Sequence, residues 1–236
     1  MTGTPRKRVA VLISGRGSNM AALIDAARDE SYPAEIVGVI SDRADAAGLD
    51  IAKRANIATH VIERGSYPDK ATHEAAISET LAELGAEFVC LAGYMRLLSA
   101  EFVAQWEGRM INIHPSLLPL FKGLDSHRRA LEAGMRIHGC TVHFVTAETD
   151  DGPIIAQAAV PIAVGDDETS LAARVLTAEH KLYPLALRLV CEGKVRMESK
   201  AVFTPFPESA STETVLISPR PDVGPVDLES LARFTP

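Results

Sequence analysis

Read from the N-terminus, the chain alternates two kinds of apolar spacing. The continuous runs "RVAVLISG", "AEIVGVISD", "ATHVIE", "EFVCLAG" and "RMINIHP" are strand-sized, and the longest read as strands buried on both faces. Between them, "NMAALIDAARDE", "AAGLDIAKRAN", "YPDKATHEAAISETLAELG" and "SAEFVAQWEG" carry helical spacing. Ser18 or Asn19 is placed to cap the first of these helices, and Gly85 to end the third. Strand and helix alternate from residue 8 to about residue 114. That order predicts right-handed βαβ units and an α/β fold, with a mostly parallel twisted sheet and helices on both faces.

The pattern then changes. "IHGCTVHFVTAE" and "GPIIAQAAVPIAV" are strand runs with no helix between them, joined by the polar stretch Asp150, Asp151, Gly152. They predict an antiparallel pair in the second half. "TSLAARVLTAEHKLYPLALRLVCEG" is a long helix carrying Pro184, where a bend is expected, and "KVRME" is a short last strand. From about residue 200 the composition shifts to Pro, Ser, Thr and Glu, which predicts an irregular tail over 200–236 behind a domain of residues 1–199.

Composition narrows the classes. At 236 residues and 47% apolar the chain can bury a sizeable core, and its net charge of −7 argues against a broad nucleic-acid face. Its apolar runs are too short to span a bilayer, and "MTGTPRKRVAVLISG" lacks a signal-peptide core, so a cytoplasmic location is expected. Three cysteines without C-x-x-C spacing read as buried reduced thiols. No H-x-x-x-H or H-E-x-x-H pattern occurs, so no metal is expected.

Candidate chemistry gathers at two strand ends. "LISGRGSN" joins the first strand to the first helix. Gly15 and Gly17 allow positive φ and close approach of a ligand, and the helix N-terminus offers free N–H groups. The loop lacks the third glycine of G-x-G-x-x-G and the lysine of a P-loop, so a plain tight turn explains the same residues. A dinucleotide reading stays open through Asp42, placed after the second strand where a ribose acid would sit.

In "MINIHPSLLP", Asn112 and His114 are two apart on a strand and so face one side. Pro115 biases His114 toward extended geometry. An amide donor beside an imidazole suits addition–elimination at a carbonyl: one stabilises an oxyanion, the other moves a proton. Asp150 is the best candidate to orient the imidazole, with Asp151 its rival. By default, a histidine at a strand end is a surface or core-edge residue, the two aspartates are turn residues, and His143 is a packed strand histidine. His60, His73, His127, His138 and His180 have no partner identifiable from spacing.

Together, "LISGRGSN", "LAGYMRLLS", "INIHPSLLP", "GCTVHFVTAETDDGPII" and "AEHKLYP" resemble the glycinamide ribonucleotide formyltransferases, folate-dependent transformylases of purine synthesis and one-carbon metabolism. The resemblance covers roughly residues 8–199. It implies a Rossmann-like sheet with a nucleotide half at about 8–110 and a folate and catalytic half at about 111–199. It implies Asn112, His114 and Asp150 as catalytic residues, and Gly15, Arg16, Gly17, Ser18, Asn19 and Glu179 as contacts to the ribonucleotide. Met95, Arg96, Leu97 and Leu98 match the segment lining the pterin pocket, with Asn112 beside it. Thr146, Ala147, Glu148, Thr149 and Asp150 match the loop that closes over it, and His143 lies near the site. Lys70 stands where the family often has Arg; it can meet the folate glutamate as a point charge, not as a fork. Asp151 stands where some relatives have Gly.

The activity implied is direct transfer of the formyl group of 10-formyltetrahydrofolate, a consumed cosubstrate, to the amine of glycinamide ribonucleotide, without metal. In that reading Asp150 keeps His114 protonated. The expected partners are small-molecule substrates, with no nucleic acid and no membrane, and a homodimer is left open. Methionyl-tRNA formyltransferase needs an RNA-binding domain and a basic face. Formyltetrahydrofolate hydrolase carries an N-terminal regulatory domain, whereas here the first strand begins by residue 8. A non-catalytic nucleotide-binding regulator and a nicotinamide oxidoreductase are the alternatives from other classes.

Overall fold

A computed structural model describes residues 5–198 and the backbone of residues 201–203. Five strands, β1 (Lys7–Ile13), β2 (Ala34–Ser41), β3 (Thr59–Val61), β4 (Phe88–Leu91) and β5 (Met110–His114), alternate with α1 (Ser18–Ala27), α2 (Gly48–Arg54), α3 (Lys70–Glu83) and α4 (Ala100–Gln105). Then come α5 (Ser126–Glu132), β6 (Ile137–Phe144), β7 (Ile154–Pro161), α6 (Glu168–Cys191), β8 (Arg196–Glu198) and β9 (Ala201–Phe203). The seven-stranded sheet has the order β3-β2-β1-β4-β5-β6-β7. Strands β1 to β5 pair in parallel, and β5–β6 and β6–β7 antiparallel. The Rossmann-like α/β architecture with an antiparallel pair at one edge is therefore present.

Continuous burial along β1, where Val9 to Ile13 are wholly buried, reflects cover on both faces. Odd and even side chains feed two cores. Val9, Val11 and Ile13 pack with α1 and α6, whereas Ala10 and Leu12 pack with α3 and α4. Helix α6 is fastened by Tyr183, whose buried hydroxyl lies 3.0 Å from the Leu91 carbonyl and 3.2 Å from that of Ile111, at β4 and β5. Pro184 lies inside α6.

Three details depart from the sequence reading. Helix α1 is entered from Gly17 in a left-handed conformation (φ 72°), with no side-chain cap from Ser18 or Asn19. The glycine supplies the turn that a capping side chain would otherwise stabilise. Helix α5, about two turns between β5 and β6, carries no long apolar period and was not expected. Ala201–Phe203, at the head of the expected irregular tail, pairs with β8; the rest of that tail lies outside the described residues.

Candidate active site

The glycine loop turns where β1 meets α1. The Gly48 N–H donates to the Gly15 carbonyl at 3.0 Å, tying the loop to the start of α2. A β-carbon on Gly17 would stand 2.7 Å from the Gly48 Cα, in addition to its positive φ. Gly17 is therefore demanded by the fold itself. A β-carbon on Gly15 would meet nothing within 4 Å, so Gly15 leaves room on the ligand side. Gly48, which the sequence reading passed over, makes this close approach possible: its own β-carbon would clash with Ile13 and press on Gly17.

The loop walls a cavity of about 800 Å³. Ser14 to Asn19 line one side, Gly93 and Met95 another, and Glu168, Thr169 and Glu179 of α6 a third. Glu179 is 6% exposed and accepts a hydrogen bond from Asn19 Nδ2 at 2.7 Å. Burial raises its carboxyl pKa, against the lowering pull of Asn19 and Arg16. The Asn19 Oδ1 is buried with no partner among the described residues, an acceptor suited to a ligand hydroxyl.

Ile113 and Pro115, on either side of His114, also line this cavity. His114 is 6% exposed. Its Nε2 lies 3.0 Å from the Phe121 carbonyl, so this nitrogen carries the proton and donates. The Nδ1 edge faces Asp150 Oδ2 at 3.3 Å. The Gly123 N–H donates to the same carboxylate oxygen at 2.9 Å, and His143 Nε2 lies 3.7 Å from the other. Asn112 sits opposite His143 in the β5–β6 register, its Nδ2 3.2 Å from His143 Nε2. His143 Nδ1 lies 2.8 Å from the Phe144 carbonyl and must donate to it, so Nε2 accepts from the Asn112 amide.

Asn112, His114, His143 and Asp150 thus form one cluster at the carboxyl end of β5. Asp151 points elsewhere, into an exposed ion pair with Lys122. Gly152 lets this turn close: a β-carbon there would stand 1.7 Å from the Phe144 carbonyl oxygen. The chain after β5 is tied down by residues the sequence reading did not single out. Thr141 Oγ1 donates to the Ser116 carbonyl at 2.7 Å, and Gln157 Nε2 to the Leu118 carbonyl at 2.8 Å. The apolar–polar alternation of β6 and β7 was the signal available, since these polar residues interrupt otherwise apolar strands.

The electrostatics correct one expectation. Burial pushes the His114 imidazole below its ordinary pKa, and the Phe121 carbonyl and Asp150 carboxylate oppose this without overcoming it. The resting ring is shifted toward neutral instead of being held charged. For Asp150, burial pulls upward, but the His143 ring, the Gly123 amide and the His114 imidazole together hold the carboxyl below its usual range. Behind this cluster His127 and His138 pack edge to face at 5.3 Å, and the desolvation of His138 lowers it to about 4.

The remaining expected residues surround the cluster. The Met95 N–H donates to Ser14 Oγ at 2.8 Å, and the Met95 and Leu97 side chains are 67% and 72% exposed. Arg96 donates to Asp42 at 2.6 Å. Asp42 is buried, pairs with that guanidinium through Oδ2 and does not line the glycine-loop cavity, which weighs against the dinucleotide reading, although its Oδ1 has no partner among the described residues. Lys70 lies 3.9 Å from Glu74, which accepts the Ser99 N–H at 2.7 Å, linking the head of α3 to the end of the Met95 to Leu98 segment. Ala147, Glu148 and Thr149 are exposed, while Thr146 and Asp150 are half-buried. Among the described residues there is no group of three His, Cys, Asp or Glu side chains able to hold a metal, and no helix is long and apolar enough to cross a membrane.

A family model described as formyl transferase matches residues 7–187. The chain belongs to the formyl transferase family. This formyl transferase chain is 43% identical over 195 residues to the Escherichia coli phosphoribosylglycinamide formyltransferase, covering 83% of this chain and 92% of that protein. It is 54% identical over 194 residues to the bovine trifunctional purine biosynthetic protein adenosine-3, covering 82% of this chain but only 19% of that protein's length. Among solved structures, the Brucella melitensis phosphoribosylglycinamide formyltransferase is 59% identical, with a TM-score of 0.77 over 79% of this chain and 96% of that one. The Symbiobacterium toebii glycinamide ribonucleotide transformylase 1 is 47% identical, with a TM-score of 0.82 over 84% and 94%.

Proposed function

We propose that the chain transfers the formyl group of 10-formyltetrahydrofolate to the primary amine of glycinamide ribonucleotide, a step of purine synthesis. The observation that supports this most is the placement of His114 between two wall residues of the glycine-loop cavity, with its Nδ1 edge on Asp150 and Asn112 alongside. A nucleotide amine reaching from that cavity meets the three groups a formyl carbon needs.

In this reading the glycine loop takes the phosphate through backbone N–H groups at the head of α1, with Gly15 giving room and Arg16 and Ser18 beside it. Glu179 and Asn19 hold the ribose hydroxyls. The exposed Met95 and Leu97 and the 146–150 loop bracket the folate ring, and Lys70 meets its anionic tail. Asn112 uses one amide hydrogen on His143 and directs the other to the formyl oxygen as negative charge develops there. The amine nitrogen bonds to the formyl carbon while the carbonyl π pair moves to oxygen. The amine proton passes to the Asp150–His114 pair and comes to rest on Nδ1 of the ring, where Asp150 stabilises the imidazolium that results. The proton then passes to the departing folate nitrogen, the carbon–nitrogen bond to folate breaks, and the carbonyl re-forms on the product amide.

The test is to mix the protein with glycinamide ribonucleotide and 10-formyl-dideazafolate and follow the deformylated folate by absorbance. Folate product that appears only when the ribonucleotide is present supports transfer. Release at the same rate without the amine would make the chain a hydrolase.

A further inference from the structure

The loop after β5 reaches the catalytic cluster twice through its backbone. The Phe121 carbonyl accepts from His114 Nε2, and the Gly123 N–H donates to Asp150 Oδ2. The Lys122 carbonyl accepts from Arg129 Nη1 at 2.6 Å, which anchors the loop on α5. Between these contacts the Lys122 ammonium pairs with Asp151, next to Asp150. The backbone on both sides of that pair is unusual. Phe121, Asp125 and Asp150 adopt left-handed φ values of 55°, 57° and 51°, a region that side chains bearing a β-carbon visit rarely. Segments held in such conformations persist only where neighbouring contacts over-determine them.

We propose that the Lys122–Asp151 ion pair is a positioning latch that pins the loop after β5 to the 146–151 turn, so that one strained loop presents its Phe121 carbonyl to His114 and its Gly123 amide to Asp150 simultaneously. Lys122 and Asp151 act through the backbone beside them and touch no substrate. The proposal rests on the catalytic reading of His114 and Asp150 above. It also gives a role to Asp151, a carboxylate that the chemistry itself does not require. The pair is exposed, at 37% for Lys122 and 52% for Asp151, so it adds little to global stability. Its effect belongs in the geometry of two groups whose separation governs proton transfer, where a small misplacement costs rate.

The experiment compares wild type, Lys122→Met, Asp151→Asn and the charge-swapped Lys122→Asp/Asp151→Lys double variant in formyl transfer under saturating substrates, each normalised to folded protein by circular dichroism. Each single variant is expected to lose roughly five-fold in kcat, with the KM for ribonucleotide unchanged, because neither Lys122 nor Asp151 lines the glycine-loop cavity. The swap is expected to recover kcat to within about two-fold of wild type. Raising salt should lower wild-type kcat and leave that of Asp151→Asn flat. Single variants at wild-type kcat, a swap no faster than the singles, or a change confined to the folate KM would each overturn the latch. A wild-type protein without transfer activity would instead remove the catalytic reading on which it rests.

Discussion

The two halves of the site are built by different means. The half proposed to take the nucleotide is a backbone construction: the turn of Gly15 and Gly17 resting on Gly48, at the end of a parallel strand, with Glu179 lowered onto it from α6. The half proposed to be catalytic is a construction of side chains brought from three separate segments, around a loop whose own backbone is strained. Parallel strands bring every β–α turn to one edge of the sheet, so a nucleotide site needs only the right turn. The antiparallel pair β6–β7 brings His143 and the Asp150 turn back beside β5, which a further βαβ unit would have placed elsewhere.

The largest expected effect breaks the catalytic half alone. His114→Ala and Asp150→Asn should each lower kcat by roughly 10²–10⁴-fold with modest change in KM, since both act mainly on the transition state. The double variant should cost little more than the worse single one, as groups that move one proton act together. Steady-state kinetics of the three variants decide this, and near-normal kcat in His114→Ala would reject the assignment.

A smaller effect separates the halves. Gly15→Val should raise the ribonucleotide KM roughly ten-fold or more and leave the folate KM unchanged, because the new side chain enters open space where backbone and phosphate are to meet. Gly17→Val, by contrast, should disturb the fold, with the Gly48 backbone only 2.7 Å from the new atom. Equal loss of both affinities in Gly15→Val would show that the loop serves packing and not binding.

The smallest concerns acid and base. His138 is wholly buried and its folded pKa, about 4, lies below the ordinary histidine value of 6.5. A depressed folded pKa gives stability that is complete above pH 6.5 and drains away as pH falls toward 4, on the order of 3 kcal/mol. Urea unfolding at a series of pH values should show that slope, and His138→Phe should reduce it. His114 and His127 are lowered in the same direction and will leave part of it. Glu179 has the opposite sign: its raised pKa favours folding at low pH and opposes it as pH rises. Acid therefore weighs on the histidine cluster, whereas the Glu179 contribution is lost as pH rises from the ordinary carboxylate value through its raised one. A slope unchanged in His138→Phe would place the sensitivity elsewhere.

Much of this was legible in the sequence, for reasons of periodicity. The alternation of apolar spacings fixed the parallel order, and a period of two put Asn112 and His114 on one face. The choice of Asp150 over Asp151 rested on the family resemblance and not on spacing, since adjacent turn residues differ only in where the folded backbone aims them. The Phe121 carbonyl and Gly123 amide were not legible, because every residue carries such groups and only the left-handed turns bring these two into reach. The direction of the His114 shift escaped for a related reason. Proximity of a carboxylate can be guessed from a motif, but the depth of burial that outweighs it depends on everything packed around the ring.

Tyr183 lies four residues after Glu179, on the same side of α6, and its single hydroxyl proton faces two carbonyl oxygens at nearly equal distance. Such a proton can move from one acceptor to the other without the hydroxyl ever losing its bond. The helix is thus held to two neighbouring strands through one buried atom, so that any shift of α6 against β4 would also be a shift against β5. Glu179, one turn away, inherits that fixed position at the wall of the cavity.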